Sequence, residues 1–217
     1  SADKNKRTAL IDRLLDSSAH VDYWAMKWSD ILRIKAEFPV KVWPNAAQAY
    51  HRWVWESVAR NKPYDQFVRE VLTASGSPED NPPVTWYREV DQTNEQVEDV
   101  AQLFLGLRIQ CARCHHHPFE KWSQDDYYGL SAFFSRVGKK NIVGSNPQAR
   151  DKRVFHNDAA GPAQARNERS GKMLSPTGLG SPALALTADQ DPRVNLADWM
   201  SAPENPFFAK ALVNRYW

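Results

Sequence analysis

Cysteine is scarce in this chain, with two among 217 residues. A secreted fold stapled by disulfides uses more of them, spaced further apart. Cys111 and Cys114 are separated by only two residues, so they serve a local purpose. Long apolar runs are missing too. No stretch approaches the roughly 18 apolar residues of a membrane span, so none is expected in this chain. Charge of one sign does not dominate: 28 Lys and Arg oppose 26 Asp and Glu, for a formal net charge of +2. The richest basic stretches, Lys4 to Arg7 and Arg136 to Lys140, are short and not interleaved with aromatics. That excludes a nucleic-acid-binding stripe, and no nucleic-acid partner is expected. The chain has no G-x-S-x-G, no H-E-x-x-H and no P-loop. No pair of carboxylates stands out by spacing, and no repeat or signal peptide is visible. The chain opens on Ser1-Ala2-Asp3 without Met, as expected of a processed protein or an excised piece.

What is present is an ordinary globular composition, 42% hydrophobic and 25% charged, with nine Trp. Helical spacing dominates the first two-thirds. Leu10, Ile11, Leu14 and Leu15 form one stripe. After a break at Ser17-Ser18, Val21, Trp24, Ala25, Trp28, Ile31, Leu32 and Phe38 continue in helical register until Pro39. Pro44-Asn45 opens a helix carrying Tyr50, Trp53, Val54 and Val58, which Asn61-Lys62-Pro63 ends. Tyr64 to Ala74 buries Phe67, Val68, Val71 and Leu72. Residues 84 to 89 are extended or a short helix. A strongly apolar helix over about 95 to 110, capped by Asp91, Thr93 or Asn94, leads directly into Cys111. Ser123 and Asp126 make a capping-box start for the next helix. Residues 138 to 190 hold many small and polar residues, with Lys152 to Phe155 as one short strand. A last helical unit begins near Asp198 and stops on an apolar pattern at Trp217, as if the natural protein continues. The expected fold is mainly α: an irregular helical domain with a long loop-rich segment at about 138–190. Three units are expected: a helical domain over 1–137 carrying the cysteines, an extension over 138–195, and over 196–217 a C-terminal helix or the start of a further domain.

Cys111-Ala112-Arg113-Cys114-His115 matches C-x-x-C-H, the attachment pattern of covalent haem c. Two thiols at this spacing reach the two vinyl groups on one haem edge, and the adjacent imidazole offers a nitrogen to iron. Two other chemistries fit the same residues. Cys111 and Cys114 can form a redox dithiol, although that motif normally follows a strand. Cys111, Cys114, His115 and His117 can also hold zinc, although a closed zinc site usually draws its second pair of ligands from a distant segment. For a further iron ligand, Met173 in a Gly-rich loop, His51 among aromatics on a helix, and His117 are candidates. Met26, Met200, His20 and His156 complete the inventory. Arg113 and Arg108 can pair with haem propionates or with a partner's acids. Trp43, Trp53, Trp55, Trp86 and Trp122 can line a carbohydrate cleft, or simply pack.

Longer stretches carry a resemblance. Ile11-Asp12-Arg13-Leu14-Leu15, Tyr23-Trp24 through Trp28-Ser29-Asp30-Ile31-Leu32-Arg33, and Asn61-Lys62-Pro63-Tyr64-Asp65-Gln66-Phe67 are three of them. Gln110 to Phe119 and Trp122-Ser123-Gln124-Asp125-Asp126-Tyr127-Tyr128 are two more. Together they resemble the planctomycete-type cytochrome-associated domain of unknown function over roughly residues 5 to 137. Asn205 to Trp217 resembles the start of a second uncharacterised domain that commonly follows it. The resemblance implies export to the periplasm or cell surface, often beside a separate cytochrome module or carbohydrate-binding modules. It implies Cys111 and Cys114 as haem thioether sites and His115 as proximal ligand. His116 departs from the charged residue usual at its position. No settled activity comes with the family. The expectation is an exported haem c protein that exchanges one electron with a redox partner, either another protein or a cytochrome module of its own polypeptide. The alternatives are a polysaccharide- or protein-binding module with a structural zinc site, and a haem-dependent oxidoreductase or peroxidase.

Overall fold

A computed structural model describes residues 5–35, 44–141 and 152–217. Phe38, Pro39 and Trp43 lie outside the described residues. The protein is mainly α-helical, as the periodicity predicts. Helix α1 (Lys6–Leu15) precedes α2 (Ser18–Ile31), and the Ser17 hydroxyl accepts from the His20 N–H to start α2. Helix α2 ends in a Schellman-type turn. Ile34 N–H donates to Ser29 O and Arg33 N–H to Asp30 O, with Arg33 itself left-handed at φ 57°. That backbone position is usually taken by glycine. Here it carries an arginine whose guanidinium pairs with the buried Asp99 carboxylate. Trp86 Nε1 donates to the other oxygen of Asp99.

Helix α3 (Pro44–Ala59) has Pro in its first position, where no intrahelical N–H is needed. Helix α4 (Tyr64–Leu72) buries Phe67, Val68, Val71 and Leu72, the four residues the spacing selects. A 3₁₀ turn over Pro82–Thr85 runs into α5 (Trp86–Glu89). Helix α6 (Thr93–Phe104) begins where Gln92 N–H donates to the Glu95 carboxylate. It stops six residues short of Gln110. Gly106 is left-handed at φ 68°, and Leu107 N–H closes the last turn on Ala101 O. The chain thus reaches the cysteines through a bend rather than a continuous helix. Helix α7 (Gln124–Ser131) starts with the predicted box. Asp126 N–H donates to the Ser123 hydroxyl, and Ser123 N–H donates back to the Asp126 carboxylate.

Strands β1 (Val137–Asn141) and β2 (Lys152–His156) pair antiparallel, Val137 opposite His156 and Asn141 opposite Lys152. Two-residue strands β3 (Ala165–Arg166) and β4 (Met173–Leu174) form a second hairpin. The expected strand at Lys152 is therefore present, with partners that two-residue periodicity could not reveal. The hairpins are tied down: Gly76 and Val154 exchange backbone hydrogen bonds of 2.8 and 3.0 Å. Buried Arg136 donates to the carbonyls of Thr187, Ala188 and Gln190.

Helix α8 (Pro192–Ser201) and α9 (Phe208–Tyr216) complete the chain. A single hydrophobic cluster contains residues from Ala25 to Phe208, so α8 and the first turn of α9 share the core of α2 to α7. Arg193 is the polar centre of that core, 1% exposed. Its guanidinium donates to Asp191, to Ala74 O at 2.9 Å, to Tyr87 Oη at 3.1 Å and to Ser75 Oγ at 3.0 Å. Every nitrogen is satisfied, the condition under which a buried charge is tolerated. Helix α1 is different: none of its residues is buried, and Leu10, Ile11, Leu14 and Leu15 are exposed. No helix among the described residues is long and apolar enough to cross a membrane.

Candidate functional site

The cysteines lie on a 3₁₀ turn, Gln110–Arg113, between α6 and α7. In a 3₁₀ helix, residues three apart share an edge. Ile109 and Ala112 take the inner edge, at 1% and 0% exposure. Cys111 and Cys114 take the outer one, and both are free and exposed. Burial of one pair thus turns the other pair outward. Cys114 N–H and His115 N–H both reach Cys111 O, at 3.3 and 3.2 Å. Helix α7 grips the turn from behind: Gln124 Nε2 and the Tyr128 hydroxyl both donate to Arg113 O, at 3.2 and 3.3 Å. Burial first, then the charge of Glu168, raises the Tyr128 phenol above its usual range, so it stays a donor.

The three histidines have distinct roles. His115 is exposed, and its Nδ1 lies 2.7 Å from His116 O. Two acceptors cannot share that distance, so Nδ1 is the donor of that bond, and Nε2 is the ring nitrogen that the bond leaves over. His117 is the reverse. Its Nδ1 accepts from Phe119 N–H at 3.3 Å and Glu120 N–H at 3.0 Å, and its own N–H donates to Trp122 O. The lone pair of His117 is occupied in bracing the loop, a role its place before Pro118 only hinted at. His116 is exposed beside Asp125, whose carboxyl is lowered by hydrogen bonds from Lys172 and Asn167. Those two bonds fasten the β3–β4 hairpin to α7.

The remaining expected residues are spread over the fold. Met173 is exposed on β4, which packs on α7. His51 is exposed on α3, in a hollow it shares with Ile34, Gln48 and Trp55. Met200 is core, Met26 is exposed on α2, and His156 on β2 faces Ala188 O and Asp191. Arg108 is exposed and lines a cleft with Leu107, His117, Phe119 and Trp122. Among the described residues no three His, Cys, Asp or Glu side chains converge as a metal site. Cys111, Cys114, His115 and His117 are thus not gathered into a closed zinc centre among the described residues. A covalent haem asks for less, two outward thiols on one edge and one imidazole with a free nitrogen, and these residues fit it.

Among the described residues, Trp53, Trp55, Trp86 and Trp122 pack separately and do not line a common cleft. Trp86 is fully buried, and Trp122 packs edge-on to Phe207. Trp53 stacks on Phe67, while Trp55 bonds Asp22. Trp24 and Trp28 instead line a cavity of about 670 Å³ with Tyr64, Phe67 and Tyr216. Periodicity placed those residues on helices but could not show that their helices meet.

No curated protein and no solved structure matches this chain. A family model does match, over residues 1–139, a segment that includes the cysteine turn, α7 and its grip on Arg113. The family's name links it to cytochrome-associated proteins. Its members are typically exported planctomycete proteins, and the domain is typically followed by another. The match spans more than half of the 217 residues, so the chain belongs to the PSCyt2 family, described as protein of unknown function (DUF1549).

Proposed function

We propose that this chain is an exported c-type haem protein whose function is one-electron transfer at the periplasm or cell surface. Cys111 and Cys114 would hold the haem edge through thioether bonds, and His115 Nε2 would ligate the iron. The observation that carries this reading is the fixed His115 tautomer beside two outward thiols. When bound, the haem supplies the one-electron chemistry. The chain's residues do the rest. His116 O orients the imidazole and strengthens it as a ligand by accepting from Nδ1. Gln124 and Tyr128 hold the turn rigid. Arg108 and Arg113 are the cations available to propionates or to a partner's acids. Met173 is favoured over His51 as a further ligand, because its hairpin is anchored to α7. The redox partner is another protein or another cytochrome module of the same polypeptide. Residues 1–137 are the motif-bearing unit, 138–195 its extension, and 196–217 a C-terminal helix or the start of a further domain.

The test is expression with export and a haem-maturation system, since cytoplasmic production leaves thioethers unmade. A Soret band and a haem-sized mass gain that survive denaturation are expected, both lost in a Cys111→Ser, Cys114→Ser variant. His115→Ala keeps the mass and changes the axial-ligand spectrum. A colourless product, where a control cytochrome is loaded, sinks the proposal. Stoichiometric zinc in that product would favour the binding-module alternative, while rapid peroxide turnover by the loaded protein would favour an enzyme.

A further inference from the structure

Helix α1 is the least supported helix among the described residues. None of its 10 residues is buried, and no side chain caps its start. An isolated helix of that length is marginal in water. Its charges also run against its own dipole. Lys6 and Arg7 stand in the first turn, where a helix favours acids. Asp12 and Asp16 stand towards its end, where it favours cations, and Arg13 is the one favourable charge there. What α1 does have is its apolar stripe, Leu10, Ile11, Leu14 and Leu15, 41 to 55% exposed. A helix so built is stable when something packs on that stripe.

The stripe continues onto its neighbours. Leu15 borders the same cavity as Trp24 and Tyr216, whose ring centroids lie 4.2 Å apart. Along α2 the surface runs on through Tyr23, edge-on to Trp24 at 5.4 Å, and exposed Met26. Along α9 it runs on through exposed Val213, Tyr216 and Trp217. At their exposures these side chains present on the order of 1,000 Å², against about 800 Å² that each partner gives a stable protein interface. The largest apolar patch on a typical monomer is smaller, about 300–600 Å². The charge pattern indicates what covers it. A helix with cations first and acids towards its end is complementary to the same helix run the other way. An antiparallel neighbour sets Lys6 and Arg7 beside the Asp12 and Asp16 of a second copy, and a two-fold axis makes each such contact twice.

We propose that this face joins two copies of the chain in a two-fold dimer, α1 running antiparallel to the α1 of the second copy, with Arg7 of each beside Asp16 of the other. The dimer does not depend on haem. Its test is analytical ultracentrifugation of the 217-residue chain from about 1 to 200 µM, with a reductant present so that exposed Cys111 and Cys114 cannot link copies. Twice the chain's mass is expected at the upper end. Leu10→Lys combined with Leu14→Lys should weaken association at least about a hundredfold. Both leucines are exposed in the single chain, so circular dichroism of the dilute variant should match that of the parent. Arg7→Asp and Asp16→Arg should each weaken association about tenfold, and the two together should restore it. Arg7→Asp suits the dipole of α1 itself, so association lost with it is not the result of a melted helix. A chain that stays monomeric at the highest concentration overturns the dimer and leaves the face to a different protein. A dimer that survives the double lysine variant overturns the surface. Single charge changes that the double swap does not rescue overturn the antiparallel arrangement, and species larger than a dimer overturn the closed two-fold.

Discussion

Arg193 and His115 are both polar side chains on short, well-anchored segments, and they are used in opposite ways. Arg193 is enclosed, and each of its nitrogens meets an acceptor from α8's own cap, from Tyr87 or from the loop after α4. His115 is exposed, one ring nitrogen satisfied by its neighbour's carbonyl and the other free. The surroundings of Arg193 leave no capacity for a ligand. Those of His115 leave one lone pair and two thiols, and hold the backbone beneath them still. Where every donor is matched, the side chain serves the fold. Where the backbone is matched and the side chains are not, the segment is suited to chemistry.

The contrast is broken or sharpened most strongly at Arg193. Arg193→Met should lower the unfolding free energy by about 3–5 kcal/mol in urea titration, because Asp191 is left half-buried without its cation. A loss below about 1 kcal/mol would place the centre among ordinary surface pairs. Ser123→Ala should cost about 1 kcal/mol, since it removes the cap of the helix that grips Arg113. Hydrogen exchange at the Cys114 and His115 amides should quicken with it. If they stay protected, α7 is not what steadies the turn.

The response to acid comes next. Burial alone would raise the Asp191 carboxyl, but hydrogen bonds and charge from Arg193 outweigh it and hold the group below its usual range. A folded pKa below the unfolded value of about 4 means the pair stabilises above that value. That contribution is lost as pH falls through the folded pKa. Unfolding free energy should therefore decline on acidification below about pH 4, and Asp191→Asn should flatten the decline. An unchanged slope would assign the acid response to other carboxylates. The smallest effect belongs to the turn. Cys111→Ser and His115→Ala in the haem-free chain should move stability by no more than about 0.5 kcal/mol, because both side chains are exposed. A larger loss would mean that the turn is also part of the fold's support.

Much of the helical frame was legible in the sequence, because its signals are local. Ser17, Pro44, Ser123 with Asp126, and the buried side of α4 each act within a turn or two of their own position. The helix expected before Cys111 is too long, because the apolar pattern through Phe104, Leu105 and Leu107 runs past Gly106, where the left-handed backbone turns the chain. In the structure Ile109 is buried from the 3₁₀ turn instead. The stripe on α1 has helical spacing yet no buried residue, since periodicity reports which face is apolar and not whether anything covers it. At the candidate site, spacing alone singles out the cysteines and His115, and the structure leaves all three exposed. The donor role of His115 Nδ1 and the loop-bracing role of His117 were not legible, for they depend on backbone atoms whose positions only folding sets. Tyr64, Arg193 and Arg136 gave no warning, because their partners come from segments distant in the chain.

Arg33 bears on how this protein can be re-engineered. A left-handed residue after a helix is a standard place to install glycine, with a gain of roughly 1 kcal/mol expected from relieved backbone strain. Here the same exchange would strip the buried Asp99 carboxylate of its guanidinium, leaving Trp86 as its remaining side-chain donor. A general stabilising rule thus changes sign at this position, and consensus-style optimisation of helix ends should leave residue 33 alone.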